Sequence, residues 1–346
     1  MTEGIDKKKM AVVVLNWNGL ALLEQFLGNW EALTPDYAEL IIVDNGSTDG
    51  SLDYVARTFP HVRCIAFAEN YGFAEGYNRA IGMLQHDYIV LLNSDAALSE
   101  YSLDEPLKLL EGDNRVVAVQ PKLRAFKAPQ SFEYAGAAGG YVDALGYPYC
   151  AGRIFDTVEA DSNQYDEVRS LMWATGACLI VRRSAYLDAG GLDAEFFAHQ
   201  EEIDLCWRMR ARGGKILLAP SSIVYHVGGA SLDAANPKKT YLNFRNNLLM
   251  LYKNLPALRL SITLFLRLFL DLIVLLRYVL GGQRQHAKAI AQAWKDALCR
   301  FSSFREKRCQ NLKLSVVPAS QILSPLSIVW HYFVLGHKKY SDLPSH

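Results

Sequence analysis

The chain of 346 residues is poor in cysteine, and its six thiols, Cys64, Cys150, Cys178, Cys206, Cys299 and Cys309, show no paired spacing. That excludes a zinc ribbon and a Cys-x-x-Cys redox motif, and leaves scattered, reduced thiols of a cytosolic protein. No internal repeat or low-complexity tract is visible, and about half the residues are apolar, enough to bury a core. A leader is also missing from the reading: three lysines run straight into Ala11–Leu15, and Asn16, Trp17 and Asn18 interrupt the apolar stretch, so no signal peptide is expected. Net charge is absent overall, with 36 basic and 36 acidic side chains, yet it is unevenly placed. Residues 241–346 hold 15 basic and 4 acidic side chains, leaving 21 and 32 for residues 1–240. An acidic body thus carries a basic tail, an asymmetry that points to an anionic surface as partner.

What is present in the body is regular alternation of strand and helix. Apolar runs near 10–15, 40–44, 62–67, 87–93 and 115–120 read as strands, and stretches 20–32, 50–58 and 73–85 as helices. Such alternation predicts an α/β fold with a mostly parallel, Rossmann-like sheet and helices on both faces. The stretch 121–170, rich in Gly, Ala, Tyr and Pro, reads as loops and short hairpins forming a substrate wall.

Two carboxylates fall just past predicted strands, at the rim where open α/β sheets bind nucleotides: Asp44 in Val43–Asp49 and Asp95 in Leu91–Ala96. Asn93, Ser94 and Asp95 give the order amide, spacer, acid. A hard divalent cation, Mg²⁺ or Mn²⁺, needs one or two carboxylates beside a diphosphate, so this order suits metal-assisted diphosphate binding. Between the two acids, Asn70, Gly72, Phe73 and Asn78 lie in a segment whose glycines permit close backbone approach and whose helix-start amides suit an anion or a base edge. Downstream, Thr175 and Gly176 precede Gly190-Gly191-Leu192-Asp193 and then His199-Gln200-Glu201-Glu202-Ile203-Asp204-Leu205-Cys206-Trp207-Arg208.

Over residues 10–255 these motifs resemble, in order and spacing, glycosyltransferase family 2, the inverting nucleotide-sugar enzymes of the GT-A fold, and within it the rhamnosyltransferase-like branch of bacterial surface-polysaccharide enzymes. The resemblance implies that Leu15, Trp17 and Asp44 meet the nucleotide base, that Asn93 and Ser94 approach the donor, and that Asp95 binds the metal. Asn93 stands where the family more often has Asp. Glu201-Glu202 aligns with a Glu-Asp pair whose second member is the general base, which assigns catalysis to Glu202 beside Glu201. His226, in Tyr225-His226-Val227-Gly228, matches a metal or diphosphate contact, and Arg245 either meets a diphosphate or is a surface cation. A UDP- or dTDP-sugar, dTDP-rhamnose included, is the implied donor, and a lipid-linked glycan or polysaccharide precursor the acceptor.

The chemistry asks for the same groups. Inverting transfer needs a base on the acceptor hydroxyl and positive charge on the departing diphosphate. In the helical reading of 201–211, Ile203, Cys206 and Trp207 form an apolar stripe, and Asp204 pairs with Arg208 at i, i+4, which makes Asp204 structural.

The chain divides as a catalytic domain, 1–240, and a helical C-terminal region, 241–346. Residues 258–280 are largely Leu, Ile, Phe and Val but include Arg259, Arg267, Asp271 and Arg277, which at about 100° per residue share an arc of about 120°. The apolar residues favour insertion by about 5–10 kcal/mol in total, while Arg267 and Asp271 oppose it by about 2.5–3.5 each. A single span would also place the basic end across the membrane from the acidic domain. The expectation is a helix lying in the interface of the inner face of the cell membrane, with cytoplasmic, peripheral attachment to anionic lipid. Packing on the catalytic domain, or on a second copy in a homodimer, is the alternative. Residues 330–335 add an aromatic patch. Nucleic acid is not expected as a partner, because the basic residues accompany an apolar helix rather than a stacking platform. Two rival functions remain open: a sugar nucleotidyltransferase, disfavoured by the lack of a basic residue in Leu15–Gly19, and a catalytically silent nucleotide-sugar-binding scaffold.

Overall fold

The computed structural model describes residues 8–228 and 236–344. Its first third alternates β1 (Met10–Asn16), α1 (Leu20–Leu33), β2 (Ala38–Asp44), α2 (Ser51–Thr58), β3 (Arg63–Ala66), α3 (Gly72–Met83) and β4 (Tyr88–Leu92). These strands pair in parallel in the order β3-β2-β1-β4. Their side chains alternate between two cores, as a period of two demands. Met10, Val12 and Val14 pack with Leu23, Phe26 and Trp30 of α1 on one face, while Ala11 and Val13 join Tyr77 and Ile81 of α3 on the other.

After β5 (Ala96–Leu98) and α4 (Asp104–Gly112), the strand expected at 115–120 runs further, as β6 (Val116–Ala125), because β14 (Lys215–His226) stays paired with it up to Ala125. The segment expected as loops and hairpins holds β7 (Ala128–Phe132), which pairs β6, and a separate four-stranded sheet of β8 (Gly140–Val142), β9 (Pro148–Cys150), β10 (Arg153–Ile154) and β11 (Thr157–Val158). After β12 (Ser170–Leu171), β13 (Cys178–Arg182) enters the main sheet antiparallel to both β4 and β6. The sheet is therefore parallel on one side and mixed on the other. This insertion puts Thr175 and Gly176, just before β13, beside the end of β4, where the backbone amide of Asn93 donates to Ala177 O at 3.0 Å.

Helices α5 (Arg183–Asp188) and α6 (Glu201–Ala211) precede β14, and α7 (Pro237–Asn254) follows it. The expected boundary at 240 falls inside α7. Three more helices complete the main C-terminal packing: α8 (Ala257–Leu280), α9 (Arg284–Arg300) and α10 (Arg305–Leu314). No helix among the described residues is long and apolar enough to cross a membrane.

Helix α8 is oriented against ordinary amphipathic logic. Arg267 and Asp271 are buried toward the protein, whereas 11 large apolar residues of the helix, among them Ile262, Phe265, Phe269, Ile273 and Leu276, are exposed. An interfacial helix with its charged arc facing water was expected; here two of those charges form the protein contact, because each finds partners there. Asp271 accepts from Arg267 Nε and Nη2 at 3.2 and 3.3 Å, from the Tyr147 hydroxyl at 2.9 Å and from Trp294 Nε1 of α9 at 2.9 Å. Arg267 also donates to Asn247 Oδ1 of α7 and to Leu145 O, and its guanidinium lies over the Tyr147 ring. With each charge met, the pair is tolerated inside. Asp271→Leu leaves the guanidinium buried without its counter-charge and is expected to lower stability by about 3–5 kcal/mol in urea unfolding. Adding Arg267→Met should restore most of that loss.

Candidate active site

The C-terminal ends of β1 and β2 form the first wall of the cleft. Asp44, almost fully buried, accepts from Asn16 Nδ2 at 3.1 Å and from the Ser47 amide at 2.9 Å, so its carboxylate is fixed at the sheet rim. Leu15 ends the apolar run beside it, and Trp17 is 57% exposed just beyond, an open indole face at the rim. Asn45 links this wall to α3: its amide donates to Asn70 Oδ1 and Gly72 O and accepts from the Tyr71 amide. Gly72 opens α3 at φ +78°, a conformation that disfavours any Cβ. Asn78, expected at the donor, has a structural role in the chain itself. It bonds to Leu192 through both backbone groups and to the Tyr186 hydroxyl, bracing α3 against the Gly190-Gly191 turn.

The second wall carries Asp95, which lies between β4 and β5. The end of β14 brings His226 to it, with Nε2 at 3.0 Å from Asp95 Oδ1 and 3.4 Å from Asn93 Nδ2. Glu133, which the sequence reading did not single out, stands on the far side of the ring, 3.4 Å from Nδ1. Burial would lower the imidazole pKa, but its bonds to Asp95 and Glu133 and their charges outweigh that and raise it to about 9.

Asp95 and His226 could hold a divalent metal only if the ion displaced the proton shared between them, since an imidazole must be neutral to ligate. Their 3.0 Å separation is that of the hydrogen bond they make to each other, and Glu133 behind the ring is placed to fix its orientation, as a carboxylate behind a ligating histidine does. The described residues contain no group of three or more His, Cys, Asp and Glu arranged to hold an ion. Ser94, partly buried, lies between Asn93 and Asp95 in the same turn.

The third wall is Thr175-Gly176 with α6. The Thr175 amide donates to Gln120 Oε1 at 2.8 Å, and the Thr175 hydroxyl accepts from the Ala177 amide at 3.2 Å. A β-carbon at Gly176 would lie 3.6 Å from the Phe73 ring and 3.9 Å from the Glu202 side chain, so Phe73, Gly176 and Glu202 converge. Glu201 is buried beside Glu202, and each has one carboxylate oxygen without a hydrogen bond. Burial first, and the charge of Glu202 second, push the Glu201 carboxyl well above the usual range. Burial also raises Glu202, but backbone amides including that of Gly176 oppose the rise. Both carboxyls are therefore held above the usual carboxylate range, by burial first.

The loop before α6 is held by α7. Phe197, His199 and Gln200 all have positive φ, between 66° and 71°. Asn246 Nδ2 donates to the carbonyls of Phe196, Ala198 and His199 at 2.8–2.9 Å, and Asn247 to Gln200 Oε1 at 3.0 Å. Lys253 bonds both Asp193 and Asp204, at 2.6 and 2.7 Å, and Arg208 donates to Asp204 at 2.9 Å, so Asp204 is structural. Burial, with Lys239 adding to it, lowers the His199 pKa to about 4, so its imidazole is neutral at neutral pH. Arg245 donates to the carbonyls of Glu195 and Phe196 and to Asn246 Oδ1, on the same loop.

Because the Glu201 carboxyl titrates higher folded than unfolded, the folded state binds the extra proton and loses stability as pH rises through that window. Glu201→Gln removes this loss. Its melting temperature should match the parent near pH 5 and exceed it by about 2 °C or more at pH 8 in calorimetry.

Comparison with known proteins agrees with this arrangement. Residues 11–185 match the model of glycosyl transferase family 2. N-acetylglucosaminyl-diphospho-decaprenol L-rhamnosyltransferase of Mycobacterium tuberculosis (strain ATCC 25618 / H37Rv) is 28% identical over 258 residues, covering 67% of this chain and 83% of the relative. Among solved structures, Staphylococcus aureus TarS 1-349 in complex with UDP-GlcNAc superposes with a TM-score of 0.53 at 15% identity, covering 88% of this chain and 89% of that TarS fragment. The mannosyltransferase PcManGT from Pyrobaculum calidifontis, in complex with GDP-Man and Mn²⁺, gives 0.51 at 17% identity, covering 88% and 85%. The sheet order and the matched motifs agree: the chain has the GT-A fold, is a glycosyltransferase, and belongs to glycosyl transferase family 2.

Proposed function

We propose that the protein is a metal-dependent, inverting transferase that moves a sugar from a nucleoside diphosphate to a hydroxyl of a lipid-linked glycan precursor at a membrane surface. The observation that carries this reading is the convergence of two buried carboxylates, Glu201 and Glu202, each with one oxygen free of hydrogen bonds, on Phe73 and Gly176 just before β13, where the Ala177 carbonyl is bonded by the Asn93 amide beside Asp95 and His226. Asp44, Asn16 and Trp17 offer the base site, and Asn93, Ser94 and Thr175 line the path between base and base catalyst. Uridine and thymidine diphosphate sugars are the donors to test, dTDP-rhamnose first, since the mycobacterial relative is named as a rhamnosyltransferase acting on a diphospho-decaprenol acceptor.

Glu202 removes the proton of the acceptor hydroxyl as its oxygen attacks the anomeric carbon. The bond from that carbon to the diphosphate breaks on the opposite face, and the electron pair leaves with the diphosphate, which inverts the centre. Asp95 and His226 would hold the Mg²⁺ or Mn²⁺, oriented by Glu133, and the ion supplies charge to neutralise the leaving diphosphate. Glu202→Gln should lower kcat by about 100- to 10,000-fold, while nucleotide-sugar affinity by titration calorimetry stays within about twofold. Near-normal turnover would rule Glu202 out as the base.

The outward apolar face of α8 supports peripheral attachment on the cytoplasmic side of the membrane. Phe265 and Ile273 are each 62% exposed, and the neighbouring helices α9 and α10 carry Arg284, Lys288, Lys295, Arg305 and Lys307. Trp330 and Phe333 extend the exposed aromatic surface. An exposed apolar face with basic neighbours matches anionic lipid. Phe265→Glu combined with Phe269→Glu should leave the circular dichroism spectrum unchanged and reduce sedimentation with anionic vesicles by about tenfold or more, each phenyl contributing about 1.5–3 kcal/mol on burial. Unchanged sedimentation would remove α8 as the attachment face.

A further inference from the structure

The loop that leads into Glu201, the first two turns of α7 and the end of α9 border a solvent-open cavity of about 440 Å³. Phe197, Lys238, Tyr241, Leu242, Arg245 and Arg300 line it. Three of these are cations, and the single acid of the lining, Glu195, is bonded to Arg300 at 3.1 Å. Asp296 stands behind Tyr241, accepting from its hydroxyl at 2.7 Å and from Gln292 at 2.8 Å.

Arg245 is the telling residue. It is 6% exposed, its guanidinium is met by two carbonyls and the Asn246 amide oxygen, and no carboxylate comes within ion-pair distance of it among the described residues. Buried charges are normally matched by an opposite charge, and a guanidinium is the cation whose planar fork suits phosphate oxygens. Lys238 stands over the Phe197 ring at 4.9 Å, at the same cavity. Counting Glu195 against the three cations leaves a lining with a charge of +2, suited to an anion carrying two or more negative charges. Phe197 and Leu242 supply apolar contact beside it.

We propose that this cavity holds the diphosphate of the lipid-linked acceptor, with the first carbons of the lipid against Phe197 and Leu242. This rests on the reading of the protein as a transferase to a lipid-linked acceptor and adds where that acceptor is gripped. Phe197 and Glu202 are five residues apart, at most about 18 Å of chain, so the sugar next to the diphosphate reaches toward the base. Donor and acceptor diphosphates then occupy separate places, the donor's at Asp95 and His226 and the acceptor's at Arg245 and Lys238. Arg245 is thereby assigned to the acceptor.

Farnesyl diphosphate, below its micellar concentration and in the presence of a chelator, tests this by titration calorimetry on the full chain. Arg245→Gln should weaken its binding at least tenfold and Lys238→Gln at least threefold, farnesol should bind at least tenfold more weakly than the diphosphate, and saturating uridine or thymidine diphosphate should not displace it. Lys238→Gln, at the helix surface, keeps the test alive if Arg245→Gln fails to fold. Equal affinity in Lys238→Gln and the parent, equal binding of farnesol, or displacement by a nucleoside diphosphate would each overturn the assignment, the last by identifying the donor's site as the place bound. Failure of the transferase reading itself would register separately, as no thermal shift with any nucleoside-diphosphate sugar and divalent metal.

Discussion

The site depends on one constraint: the backbone of residues 197–200 is held in a conformation that it would not keep unaided. Non-glycine residues at positive φ cost free energy individually, and three of them cluster immediately before the carboxylate pair. Asn246 meets the cost by bonding three carbonyls of the loop, those of Phe196, Ala198 and His199, and Asn247, Arg245 and Lys253 from the same helix fix its flanks. Helix α7 is thus a splint whose polar side is buried and whose apolar residues Leu248, Leu249 and Leu251 join the core. The direction of Glu202 toward Gly176 follows from that splint more than from α6 itself.

The body of the fold was readable because its signals are local. Strands β1, β2 and β4 are built on the apolar runs Met10–Leu15, Leu40–Val43 and Tyr88–Leu92, almost entirely buried. The antiparallel entry of β13 was not readable, since direction in a sheet is set by connections and not by the composition of a five-residue apolar run. Asp44, Asp95 and the Glu201-Glu202 pair stood out by position and by family resemblance. Glu133 did not, because it reaches His226 across a 93-residue separation that no sequence spacing announces. The bracing bonds of Asn78 are hidden for a related reason: its amide answers the backbone of Leu192, a tertiary partner invisible in the motif around it.

The tail shows how a helix can be read correctly in outline and inverted in detail. Charge and hydropathy marked 258–280 as amphipathic, and both faces exist. What sequence could not supply was the set of partners, Tyr147, Asn247 and Trp294, that make the protein interior the better solvent for Arg267 and Asp271. Once those partners are in place, the apolar side is left on the outside.

The splint lies after the loop it supports. Asn246 follows Phe196 by 50 residues, Lys307 reaches back 114 residues to Asp193, and the Ile328 amide reaches back 185 to Asp143. During synthesis from the N-terminus, the sheet and the carboxylate pair emerge well before the helices that set their geometry. The nascent chain therefore carries every motif of the site and still lacks its arrangement, so the catalytic cleft is finished only when the C-terminal helices have been made.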